Sequence, residues 1–284
     1  MNRRLTALGV LVVAGSLLAA ACTPPTGPAP TTWKVKPTSI QVVNTEDPDF
    51  SDEPYVIQIG FRSKVGVPGS ADAFISSQCR NNLLPPNDAA PAGTTMTSPP
   101  GAADIVFPNS QNLDIGDVLL NLAPLEIFGS LSFAVERDSV FANSCAMTDA
   151  LESLLVPVMK DALELLIANS ATPPTQQQLI DLIVSNLGNF INALGSLIAT
   201  FIEGLGNPDD IIGTAVQIHL PVQGTFKSLM DFGLAVAGLD NGQIPVAGLP
   251  DTLKIRIGQL LPSTASFDFN GPGYEWILNT AVTR

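Results

Sequence analysis

The chain has 284 residues, 45% hydrophobic and 14% charged, with 13 Lys and Arg against 26 Asp and Glu and a formal net charge of −13. That length suits one large domain or two small ones. The one-sided charge, with no basic run and no basic-aromatic patch, argues against nucleic acid as a partner.

The first segment reads as an export signal. Arg3 and Arg4 form a basic start, and Leu5 to Ala21 is an apolar run ending in small residues. At this length, with that exit, residues 1–21 predict a secretory signal peptide rather than a spanning helix. Removing it takes away two basic residues and leaves 11 against 26, a net of −15. Residues 22–33 contain a Pro/Thr run that cannot bury a core and read as an extended tether.

Beyond the tether, residues 38–67 predict two strands around a turn. Ser39 to Val43 is β-branched, and Pro54 to Phe61 alternates. Tyr55, Ile57, Ile59 and Phe61 fall on one face, with Val56, Gln58 and Gly60 on the other. Residues 68–112 are rich in Pro, Gly, Ala, Asn and Ser and read largely as loop, with a short strand at Asp104–Phe107. Residues 113–128 fit strand or short helix, and Leu131 to Glu136 alternates as a strand.

Residues 146–206 change character. Leu151, Leu154, Leu155, Val158, Ala162, Leu165 and Leu166 recur at helical spacing, with Thr148 as a candidate cap and a kink expected at Pro157. After a turn, Thr175 caps a second helix. Its stripe is Ile183, Leu187, Phe190, Ile191, Leu194, Leu197, Ile198 and Phe201. The expectation is a helical hairpin packed on a sheet. The segment's Asp149, Glu152, Asp161, Glu164, Asp181 and Glu203 against Lys160 alone argue against insertion into anionic lipid.

Ile211 to Val222 returns to strand pattern. Phe226–Val236 and Leu253–Ile257 read as weaker strands, and Gly273 to Arg284 as a closing strand. His219, the one histidine, alternates with apolar neighbours and is expected to face solvent or a crevice. No nucleophile elbow, zinc spacing or phosphate-cradling glycine loop accompanies it, so the chain reads as non-enzymatic.

Two family resemblances sharpen this reading. Ala-Ala-Ala-Cys22 resembles a bacterial lipobox, with Ala19 where Leu is usual. It implies cleavage before Cys22, lipid on its sulfur and membrane attachment through that cysteine. An ordinary signal-peptidase cut, releasing the chain, is the alternative. If Cys22 is lipidated, Cys79 and Cys145 remain, as a disulfide permitted outside the cytoplasm or as two free thiols.

Three acidic patches, Asp47–Glu53 before Pro-Tyr-Val, Glu136-Arg-Asp138, and Asp209-Asp210 before Ile-Ile-Gly, resemble the calcium loops of C2 domains in chain order. The resemblance implies an antiparallel C2-like β-sandwich over 34–145 and 207–284, with the hairpin inserted in a loop. It implies Ca²⁺ ligands at Asp47, Glu53, Glu136, Asp138 and Asp210. Glu53 and Glu136 stand where Asp is usual, and Lys64 is the one counterpart of the family's basic strand.

The functional expectation is therefore a secreted or lipid-anchored cell-envelope binding module, Ca²⁺-dependent through those carboxylates. A carboxylate-based envelope hydrolase and a carrier of an apolar ligand under the hairpin are the alternatives.

Overall fold

The computed structural model describes residues 29–45, 51–82, 90–137, 145–171, 175–204 and 210–284. The expected signal peptide, Cys22, Asp47 and Asp138 lie outside them. Strands β1 (Thr31–Asn44), β2 (Ser51–Asp52), β3 (Pro54–Lys64), β4 (Asp72–Ser77), β5 (Ala90–Pro91), β6 (Thr94–Thr97) and β7 (Ile105–Ser110) precede helix α1 (Ile115–Leu119) and strand β8 (Glu126–Glu136). The hairpin follows, as α2 (residues 146–168) and α3 (Gln176–Gly204). Then come β9 (Asp210–Leu220), α4 (Gly224–Val236), β10 (Gln243–Pro245), β11 (Thr252–Gln259), β12 (Ser263–Gly271) and β13 (Tyr274–Thr283).

The strands form a β-sandwich with a helical insertion. One sheet runs β12-β13-β1-β6, with β7 also on β1. The other runs β10-β11-β9-β8-β3-β4. The two strands expected around a turn at 38–67 thus lie in different sheets. The stretch expected largely as loop contributes four strands of two to six residues each: β7 meets the short strand expected at Asp104–Phe107, and β4 to β6 are additional. The first strand starts at Thr31, so the last residues assigned to the tether belong to the fold, and Trp33 is buried.

The six-stranded sheet is the middle layer. Tyr55, Ile57, Ile59, Phe61, Leu131 and Phe133 point to the helices and join one core with Ile183, Leu187, Phe190 and Ile198 of α3. Val56 and Ala134 point the other way and pack on Ile40, Val42, Phe269 and Trp276. Burial on both faces explains why every described position of β8 is inaccessible.

Within α2, π-type turns at Leu151–Leu155 and Glu164–Ala168 interrupt the α-helix. The first comes just before Pro157, with the Val156 N–H donating to the Leu151 carbonyl, and the helix continues past a residue that has no N–H to give. Thr148 does not cap. The cap position is Cys145, and Thr148 is buried inside the first turn. Thr175 meets its expectation: its Oγ1 accepts the Gln178 N–H at 3.4 Å and donates to Gln178 Oε1 at 2.7 Å. Helix α3 has the length and mean hydropathy, 1.5, that would allow a membrane crossing, yet its apolar stripe packs on the sheet.

Residues 226–236, expected as a strand, form α4. Phe226, Met230 and Leu234 are its buried residues, four apart. The helix links β9 to the β10-β11 pair, and β11 lies parallel to β9. A parallel pair needs such a crossover, so the sandwich is not purely antiparallel.

Candidate functional site

The strand register brings three of the acidic positions to one end of the middle sheet. Pro54 faces Glu136 across β3 and β8, and Glu136 faces Asp210 across β8 and β9. Glu53 directly precedes β3, and its carbonyl accepts the Arg137 N–H at 3.2 Å. Glu136 is 1% exposed. A carboxylate so buried is held by partners and not by bulk water. Asp47 and Asp138 lie outside the described residues.

Asp52, beside Glu53, has a structural task that the reading of the cluster missed. It is fully buried and accepts the Trp276 Nε1–H at 2.8 Å, joining the acidic loop to the five-stranded sheet. The signal for it was Trp276 itself, in the closing strand, since a buried indole N–H requires an acceptor.

The same end carries the Cys79–Cys145 disulfide, with Cα atoms 5.7 Å apart. It joins the turn after β4 to the start of α2. Arg80, next in sequence, donates to Glu152 at 2.5 Å and Asp149 at 2.7 Å. These bonds push the arginine above its ordinary range, and the Arg80 bond holds the Glu152 carboxyl below its own.

Carboxylate oxygens suit a hard cation, but a Ca²⁺ shell takes about six to eight oxygens. Among the described residues no three Asp, Glu, His or Cys side chains gather into a group able to hold a metal ion. A complete shell would need Asp47 and Asp138 as well as Glu53, Glu136 and Asp210.

His219 departs from its expectation. It is 6% exposed, set between the sheets beside the Phe128 ring, with ring centroids 5.6 Å apart. Its Nε2 has no hydrogen-bond partner among the described residues. Burial pushes its pKa down to about 4, so the imidazole is neutral. Nearby, Gln58 Nε2 donates to Ser132 Oγ at 2.9 Å and Thr280 Oγ1 to Gln217 Oε1 at 2.9 Å, while Gln58 Oε1, Ser130 Oγ and Thr214 Oγ1 have no partner among the described residues.

No family model, curated protein or solved structure matches the chain.

Proposed function

We propose that the chain is an extracytoplasmic binding module of the cell envelope, held by lipid on Cys22, whose acidic end takes the ligand in a Ca²⁺-dependent way. The observation that carries this reading is the row formed by Glu53, Glu136 and Asp210 at adjacent strand ends of one sheet. That placement is the one expected of C2-like calcium loops, and it supports the resemblance drawn from the three patches. The disulfide supports an oxidising compartment.

The carrier reading would place its ligand at the hairpin. An apolar crevice near the start of α3, lined by Val65, Val118, Leu122, Leu125 and Leu179 among others, has a volume of about 120 Å³. Pockets for drug-sized ligands run to roughly 300–1,000 Å³. The acidic end is therefore the better-supported binding site.

Titration calorimetry of the mature chain with Ca²⁺, alongside its thermal midpoint, tests the proposal. Binding heat and a raised midpoint, both weakened by Glu53→Gln, are expected. No heat and no shift would remove the metal from the reading.

A further inference from the structure

The tether leaves the sandwich at the end opposite the acidic row. Thr31, the first residue of β1, pairs with Ser110, the last of β7, whereas Asn44 at the other end of β1 pairs with Glu275, beside the Trp276 that bonds Asp52. Beyond Ser110, Leu113 bridges to Val222, and α1 follows. Just past helix α1 come its cap Leu120 and then Leu122, which are 83% and 78% exposed. Leu122 has φ of 54°, a left-handed conformation uncommon for a bulky side chain. Leu261, also exposed, belongs to the same end: its neighbour Leu260 donates to the Leu220 carbonyl at 3.1 Å. The hairpin's far turn returns here too, since the Gly66 N–H reaches the Ile167 carbonyl at 3.3 Å and Leu179 shares the apolar crevice with Leu122.

We propose that this end is a bilayer-docking surface, with Leu120 and Leu122 seated in the lipid interface and the acidic end facing away from the anchoring membrane. The inference rests on the lipid-anchor reading of Cys22. Tether length decides the orientation. Nine residue steps separate Cys22 from Thr31, a maximum reach of about 30 Å. The ten residue steps of β3, which runs from the acidic end toward the tether end, span about 33 Å. A tether rooted at Thr31 places the near end on the bilayer easily. It is too short to run back along the sandwich and bring the acidic end to the same membrane. Two leucines this exposed on a soluble surface cost water contact that a lipid interface removes. The acidic residues Asp114 and Asp117 of α1 are engaged in a reciprocal capping box. Their charge favours a zwitterionic over an anionic surface.

The test uses the full chain, exported, purified and reconstituted into phosphatidylcholine vesicles carrying nitroxide-labelled acyl chains. An environment-sensitive fluorophore is placed at L120C, or as a control at A92C. Ala92 is exposed and follows the β5 strand that pairs with Asp52. Intact mass and vesicle flotation report the anchor separately. The expected result is an acylated, floating chain with a blue-shifted, nitroxide-quenched probe at 120 and an unchanged probe at 92. An acylated, floating chain with no quenching at 120, or equal quenching at both positions, overturns the docking surface alone. A blue shift at 120 that grows with protein concentration without vesicles assigns the leucines to a second copy of the chain and also overturns it. A chain without acyl mass removes the anchor and this inference with it.

Discussion

Acidification should cost this protein stability through one residue. His219 is the only histidine, it is buried, and its pKa lies at about 4 against about 6.5 in an unfolded chain. The unfolded state therefore takes up a proton that the folded state refuses. Because the unfolded state binds more protons, stability is fully present above pH 6.5 and is lost as pH falls toward 4. A difference of about 2.5 units corresponds to roughly 3 kcal/mol, most of it lost by pH 4.5. Urea unfolding at pH 7.5 and 4.5, on the native chain and on His219→Gln, isolates this contribution. Carboxylates titrate in both proteins, so the difference between their acid losses belongs to the imidazole. The native chain should lose about 2–3 kcal/mol more than the variant. Equal losses would refute the reasoning. So would a single imidazole resonance, read by NMR in the folded protein, titrating near 6.5.

Other expectations address the frame. Replacing Cys79 and Cys145 together by Ala opens a link between residues 66 apart, and chain entropy puts the loss near 4 kcal/mol, measurable as a lower urea midpoint. Gly129→Ala would set a Cβ 2.1 Å from the backbone carbonyl oxygen of Gln217, between β8 and β9. It should cost roughly 3 kcal/mol or prevent folding, visible in thermal unfolding or in soluble yield. Thr175→Ala removes the cap of α3 and should cost about 1 kcal/mol, with circular dichroism of the folded state unchanged.

The parts legible in the sequence were those whose burial followed one period. The hairpin announced itself because Ile183, Leu187, Phe190, Ile191 and Leu194 keep helical spacing on one buried side. Strand β3 was legible from Tyr55 to Phe61, but its second face was not. Gln58 and Gly60 look solvent-facing in a strand alone, and only the second sheet, coming from the chain's two ends, covers them. His219 was misjudged for the same reason. Helix α4 was obscured by Phe226, Phe232 and Val236, which suit strands, although Phe226, Met230 and Leu234 carry the helical spacing. Strands β4 to β6 are too short to establish a period among prolines and glycines, whereas β7 was legible at Asp104–Phe107. Of the acidic site, the strand ends were legible from their flanking patterns. The burial of Asp52 was not, because its partner Trp276 lies 224 residues away.

Strand β13 sits between β12 and β1, pairing residue 39 with residue 279. Two strands far apart in sequence, β1 and β13, are thus neighbours at the centre of one sheet. A growing chain can offer β1 only the short strands β6 and β7 until its longest partner, β13, has been made. Contacts so distant in sequence form late and slowly, while the helical hairpin needs only its own residues. The sandwich cannot close before β13 has been made, and loss of that strand would leave β1 without its longest partner.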